Sequence, residues 1–85
     1  MGARACFPQF DDLTADEFAR LLRRSKLSRE EKTIATQLIR WHMSYIDAAA
    51  IVHMDRRTVA RKMNSIIIPE LERMMQKQTR QRVGA

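Results

Sequence analysis

Cysteine is almost absent from this chain of 85 residues. Cys6 is the single cysteine, so no intrachain disulfide can form, and the residues around it do not have the spacing of metal ligands. The two histidines, His42 and His53, are far apart in sequence and have no cysteine near them. We therefore expect no disulfide framework, no metal site and no cofactor. The scarcity of cysteine also favours a cytoplasmic location.

Glycine and proline are scarce as well, with two of each. That is too few for a chain dominated by turns, and aliphatic residues with six methionines supply most of the apolar content. No apolar run is long enough to span a bilayer, and the N-terminus has no apolar signal segment, so we expect neither a membrane protein nor a secreted one. The sequence favours one all-α domain with four to five short helices.

Acidic residues are outnumbered by basic ones. Sixteen lysines and arginines against ten aspartates and glutamates give a net charge of +6. Residues 1–19 hold one arginine and four acids, a net charge of −3, so residues 20–85 carry +9. Twelve of the basic residues are arginine, whose planar fork suits phosphate and guanine edges. Nucleic acid is therefore the leading class of partner.

Polar residues at regular intervals mark where helices begin. Their side chains can accept hydrogen bonds from the free backbone N–H groups of a first helical turn. The sequence has four such signals: Thr14 with Glu17, Ser28 with Glu31, Ser44 with Asp47, and Asp55. With the apolar periodicity, they predict helices over 15–24, 29–42 and 44–52, and a fourth helix that starts after Asp55.

Pro69 marks the end of the fourth predicted helix. Because proline lacks an N–H and disfavours helical geometry at Ile68, we expect a stop or kink there, and then a fifth helix over 69–79. Residues 1–13 are predicted to form an irregular arm, 14–79 the helical domain and 80–85 a frayed basic tail. The expected core positions include Phe18, Leu21, Leu22, Leu38, Trp41, Tyr45, Val59, Met63, Ile66 and Ile67.

Residues 44–63 have the layout of a helix-turn-helix, with a short helix, a three-residue turn and a second capped helix. Ala49 is small enough for a close helix crossing, Met54 can fill the turn, and Val59 with Met63 forms the inner side of the second helix. The positions left facing outward are Arg56, Arg57, Ala60, Arg61 and Asn64.

The outward residues suggest a double-stranded DNA-binding surface. Arg56, Arg57 and Arg61 are the candidates for base contacts, because arginine can bridge O6 and N7 of guanine in a major groove. Phosphate contacts that set the register are expected from residues with hydroxyl groups or positive charge near these helices. These candidates are Ser44, Tyr45, Thr58, Arg40 and Lys62, and Asn64 completes the predicted DNA-binding set.

This stretch resembles the DNA-binding C-terminal domain of bacterial sigma factors, which reads the promoter −35 element. The residues that carry the resemblance are Ser44-Tyr45, Ala49, Met54, Arg56-Arg57-Thr58-Val59 and Arg61-Lys62, and it extends over about residues 27–68. His53 stands where that family usually has glycine, and Ala48 where a bulkier aliphatic residue is usual. The resemblance implies a sequence-selective regulator of transcription. Small regulators of phages and mobile elements share the pattern, and the chain has no room for a promoter-melting domain.

No nucleophile, glycine-rich phosphate loop or paired acids are visible, so we do not expect an enzyme. Two other questions remain open: the class of partner and the role of the apolar residues near the C-terminus. The chain could instead be a small inhibitor or adaptor that uses its basic face against an acidic protein, such as a nucleic-acid enzyme. The apolar residues Leu71, Met74 and Met75 could close the core or form a homodimer or partner interface.

Overall fold

The computed structural model describes the backbone of residues 6–83 and the side chains of residues 6–76. Over this range the chain is all-α, as predicted, and has no β-strand. A short 3-10 turn, Pro8–Phe10, precedes the α-helices, and two π-helical segments, Thr36–Arg40 and Met63–Ile67, extend α2 and link α4 to α5. The α-helices are α1 (Ala15–Arg24), α2 (Arg29–Ala35), α3 (Tyr45–Val52), α4 (Arg56–Lys62) and α5 (Ile68–Val83).

The first two helices begin where the capping signals predict. The Thr14 hydroxyl accepts a hydrogen bond from the Glu17 backbone N–H at 3.1 Å, and Glu17 Oε1 accepts one from the Thr14 N–H at 2.9 Å. Ser28 and Glu31 form the same reciprocal pair at the start of α2. Each pair satisfies two N–H groups that a helix start leaves free, so both starts are encoded locally.

The other two signals differ in outcome. The Ser44 hydroxyl accepts a hydrogen bond from the Asp47 N–H at 3.1 Å and caps α3. Asp55 lies at the N-cap of α4 with extended backbone angles, but its carboxylate makes no capping hydrogen bond. The start of α4 is therefore predicted correctly, whereas the predicted side-chain cap does not form.

The π-helical segment Met63–Ile67 coincides with an apolar spacing of four residues. Val59, Met63, Ile67 and Leu71 are all completely buried. Because an α-helix has 3.6 residues per turn, positions four apart drift by about 40° per step around a regular helix. The wider π turn offsets this drift and keeps the four side chains directed at the core. Ile66, predicted to belong to this row, is instead 41% exposed.

Pro69 does not interrupt the helix. Ile68 keeps α-helical angles and its N–H donates to the Met63 carbonyl, so α4, the π segment and α5 follow one another without a break. Of the two expected outcomes, a stop or a kink, the stop at Ile68 is wrong, because the π turn just before Pro69 accommodates the missing N–H. Helix α5 runs to Val83, beyond the predicted end at 79. Residues 1–5 of the predicted arm and 84–85 of the predicted tail lie outside the described residues.

Trp41 is the clearest error in the predicted core. Its side chain is 63% exposed, whereas the neighbouring Leu38 is completely buried. The prediction assumed a regular α-helix through residue 42. The chain instead widens into the π turn over Thr36–Arg40, and the Trp41 N–H donates to the Thr36 carbonyl at 3.1 Å. The wider turn changes the direction of the next side chain, so Trp41 leaves the apolar row. Tyr45, also expected in the core, is half-buried against it.

One hydrophobic core connects all the helices. Phe7 and Phe10 of the N-terminal segment join it together with Phe18, Leu21 and Leu22 of α1. Helix α1 packs against α5, α2 against α3 and Met63–Ile67, and α3 against α4. In the described range, no helix combines the length and apolar character needed to cross a membrane.

Candidate functional site

The centre of the candidate site is the unit formed by α3, the turn 53–55 and α4. Helix α3 ends at His53, which has left-handed backbone angles of φ 57° and ψ 42°. The N–H of Met54 donates to the Ala49 carbonyl at 3.0 Å, the six-to-one bond of a Schellman-type helix ending. Glycine is the usual residue at this position, so His53 holds a backbone conformation that glycine adopts most easily.

Small side chains allow α3 and α4 to pack closely. Ala48 and Ala49 are buried on α3, at 0% and 4% exposure, and they belong to the same core cluster as the completely buried Val59 of α4. Met54, in the turn between them, packs partly into the same core. The packing fixes which side of α4 faces inward, and therefore which side is left to solvent.

The solvent-facing side of α4 and the start of the π segment that follows it carry five of the predicted DNA-binding residues. We call this set the arginine face: Arg56, Arg57, Thr58, Arg61 and Asn64, all exposed. Within α4 itself there is no acidic residue to neutralise them. The structure thus brings together all three arginines predicted to contact bases.

The first turn of α4 is electrostatically unlike that of the other helices. Acidic residues occupy the first turns of α1, α2 and α3, where they complement the positive end of the helix dipole. The first turn of α4 has no acid and begins with Arg56 and Arg57. Cations at that end reduce helix stability by about 0.3–1 kcal/mol each. Features that weaken local stability in this way are expected at functional sites.

Lys62 is held by an ion pair and is not part of the free surface. Its ammonium lies 3.4 Å from Glu31 Oε2, and the Glu31 side chain is only 12% exposed. The Ser28 backbone N–H, which donates to the other oxygen, and then Lys62 keep the pKa of Glu31 below its usual value despite burial. This pair ties α4 to the start of α2. Lys62 therefore positions the helix and has less charge available for a phosphate.

The remaining predicted phosphate contacts lie near the beginning of α3. Ser44 is buried and its oxygen already caps the helix, although its O–H can still donate. Tyr45 is half-buried, and desolvation raises the pKa of its phenol, so the neutral O–H persists. Arg40 is exposed at the end of the π segment. Of these three residues, Arg40 is the one that carries a charge, and its side chain is exposed.

The predicted interface residues all contact the core of the monomer, and one of them is completely buried in it. Leu71 is completely buried and cannot line an exposed surface in this fold, so the prediction that it belongs to an interface is wrong. Met74 and Met75 are half-buried and pack against the core. These contacts favour the interpretation that α5 closes the core, because Leu71 already has its apolar neighbours within the chain.

Sequence reasoning missed two residues that shape this region. His42 ends the second helical run with φ 55°, and the Met43 N–H donates to the Gln37 carbonyl at 2.9 Å, a bond that reaches back one residue further than the one beside His53. Because no glycine follows Trp41, the sequence did not indicate a left-handed residue at this position. Glu31 was read only as a cap, yet it also holds Lys62. Among the described residues, no group of three or more His, Cys, Asp or Glu side chains could hold a metal ion.

Comparison with known proteins adds no assignment. No family model, curated protein or solved structure matches this chain.

Proposed function

We propose that this chain is a sequence-selective double-stranded DNA-binding protein, a transcriptional regulator of phage or mobile-element type, in which α4 enters the major groove. The observation that carries the proposal is the arginine face. Three exposed arginines occupy a helix that directly follows a tight turn, and two of them, Arg56 and Arg57, lie in its first turn, where a positive charge lowers the stability of the helix. A binding role explains why these residues occur there.

The geometry supports a division of labour on this surface. Arg56, Arg57 and Arg61 would contact base edges, since a bidentate arginine–guanine pair discriminates by about 1–3 kcal/mol. Thr58 and Asn64 lie beside them, and Arg40 adds charge near the start of α3 for phosphate contacts. The Glu31–Lys62 pair and the buried alanines would hold α4 at a fixed angle to the rest of the domain.

The resemblance to the C-terminal domain of sigma factors adds support. That family has glycine in the turn, and His53 takes the left-handed conformation that this position requires. The net charge of +6 favours association with a polyanion. An acidic protein surface would satisfy the same charge, and it is therefore the alternative that an experiment must separate from DNA.

Selection from a random pool of DNA duplexes tests the proposal. We expect the wild-type protein to enrich a recurring motif, and Arg56→Ala/Arg57→Ala to enrich none. Arg23→Ala/Arg24→Ala is the matched control, because it removes the same charge from exposed residues at the end of α1. Failure of the wild type to retain any duplex at low salt, with capture of one stoichiometric protein partner, would favour the inhibitor or adaptor instead.

A further inference from the structure

A groove lies on α2 and the π segment that extends it. It is formed by a different part of the chain from the arginine face. It has a volume of about 420 Å³, within the range of about 300–1,000 Å³ that is common for small-molecule sites. All its lining residues come from one stretch of 13 residues, 29–41. They are Arg29, Lys32, Thr33, Thr36, Gln37 and Trp41. None of them belongs to the predicted DNA-binding set.

The polar groups of the groove suit an anionic ligand. Arg29 and Lys32 supply two positive charges, and none of the described residues that line the groove carries a carboxylate. The Thr33 and Thr36 hydroxyls donate to the carbonyls of Arg29 and Lys32, at 3.1 and 2.9 Å. Their oxygens are left as acceptors, so a ligand here would combine negative charge with hydrogen-bond donors.

Trp41 provides an exposed aromatic surface at one end of the groove. It is 63% exposed, the highest value among the large hydrophobic residues that are exposed in the described structure. A tryptophan ring left in water, in a groove that cationic side chains also line, is a platform on which a planar group can stack. The structural role expected of Trp41, filling the core, is ruled out by this exposure.

Gln37 supplies an independent indication of a ligand. The residue lines the groove but is only 3% exposed, and its Oε1 has no hydrogen-bond partner in the described part of the chain. A buried acceptor without a donor is unfavourable, and each such group in a native structure calls for an explanation. A small rotation of the Gln37 side chain toward the groove would let an N–H group of a bound planar ligand satisfy this buried oxygen.

We infer that the groove binds a nucleotide unit that has an unpaired base. The phosphate lies at Arg29 and Lys32, the base stacks on Trp41, and an N–H of the base donates to Gln37 Oε1. The unit could be a free mononucleotide or an unpaired nucleotide of a strand, since both present the same chemistry. The inference does not depend on duplex binding by α4.

The fluorescence of Trp41 tests the inference directly, because it is the single tryptophan of the chain. The probes are the four nucleoside monophosphates, a short mixed-sequence single strand, a blunt duplex, adenosine and ribose 5-phosphate. We expect saturable quenching by at least one monophosphate or by the single strand. Adenosine and ribose 5-phosphate should each bind at least tenfold more weakly than the best nucleotide. Quenching by monophosphates identifies the free ligand, and quenching by the strand alone identifies the strand.

Variants separate this groove from the arginine face. Arg29→Ala/Lys32→Ala should weaken nucleotide binding at least tenfold and leave the affinity for a blunt duplex within about twofold. Gln37→Met should weaken nucleotide binding several-fold without lowering Tm, because it removes an unsatisfied acceptor at similar volume. Arg56→Ala/Arg57→Ala should leave the quenching unchanged. The inference is overturned if no nucleotide or strand quenches Trp41 saturably, or if ribose 5-phosphate binds as tightly as the best nucleotide.

Discussion

His42 and His53 hold the left-handed backbone angles that glycine adopts most easily at helix ends. For a residue with a Cβ atom this conformation costs about 1–2 kcal/mol, although histidine visits it more often than most residues do. This cost belongs to the backbone conformation and not to side-chain contacts. At His53 this cost falls in the turn that joins α3 to α4, so the backbone at this residue contributes, with the helix packing and the Glu31–Lys62 pair, to the direction of the arginine face.

Substitution of His53 measures that cost. We expect His53→Gly to raise the free energy of unfolding by up to about 1 kcal/mol, since relief of the left-handed conformation is partly offset by the greater freedom of glycine in the unfolded chain. His53→Val should lower it by about 1 kcal/mol or more, because β-branching is poorly tolerated at positive φ. Urea denaturation compares them, and His53→Ala controls for loss of the imidazole. A glycine variant no more stable than the alanine variant would contradict the prediction.

Glu31 links the cap of α2 to Lys62 on α4, and its charge should make stability depend on pH. Its folded-state pKa lies below the ordinary value of 4.5, chiefly because of the hydrogen bond from the Ser28 N–H and with a contribution from Lys62. A depressed carboxyl pKa stabilises the fold fully above the unfolded-state value, and this stabilisation is lost as pH falls through the folded-state value. The loss should therefore occur below about pH 4.5.

The variant Glu31→Gln should show this directly. Glutamine can still accept the hydrogen bond from the Ser28 N–H, but it cannot pair with Lys62 as an ion. We expect it to be less stable than the wild type at pH 6–7, and the difference to shrink as pH falls below about 4.5. Urea denaturation across this range gives the difference, with Glu30→Gln on the same turn as the control. A difference that stays constant with pH would contradict the role assigned to the charge.

Helices α3 and α4 depend on a close approach at Ala49. A valine there would add volume to a packed contact, and overpacking of this kind costs about 1–3 kcal/mol. Ala50→Val is the matched control, since Ala50 is exposed on the same helix and the change carries a similar loss of helix propensity. We expect only Ala49→Val to lower Tm by clearly more than the propensity loss. Equal effects of both variants would show that the contact is not tight.

At the level of elements, the predictable features are those encoded within a few residues. The starts of α1 and α2 could be predicted because Thr14 and Ser28 each have a glutamate three residues later. The exposure of Trp41 and the continuity of the helix through Pro69 could not be predicted from the sequence, because both follow from π turns. Those turns arise where apolar residues four apart must all reach one core, a requirement set by the tertiary packing.

The candidate site divides along the same line. The exposed arginines of α4 follow from local periodicity, so Arg56, Arg57 and Arg61 could be predicted. The pairing of Lys62 with Glu31 joins residues 31 positions apart, and no local pattern indicates it. The burial of Leu71 likewise depends on how α5 returns to α1. Long-range packing therefore takes Lys62 and Leu71 out of the predicted binding surfaces. It also provides the Glu31–Lys62 contact that positions α4.

For the whole molecule, the positive charge predicts how DNA affinity depends on salt. Residues 20–85 carry the net charge of +9, and each phosphate neutralised contributes about 0.9 to the slope of log affinity against log salt. With at least about three phosphate contacts, affinity should fall about 40-fold or more between 50 and 200 mM salt. Fluorescence anisotropy with a labelled duplex measures this slope. An affinity that is nearly independent of salt would exclude binding through phosphates.

The most direct test of the central claim is the ratio of affinities for a selected duplex and a scrambled duplex of equal length at one salt concentration. If α4 reads bases, Arg56→Ala/Arg57→Ala should lower this ratio at least about tenfold, because each lost bidentate contact removes about 1–3 kcal/mol of discrimination. Arg23→Ala/Arg24→Ala, with the same loss of charge, should keep the wild-type ratio. A wild-type ratio retained by Arg56→Ala/Arg57→Ala would contradict the account.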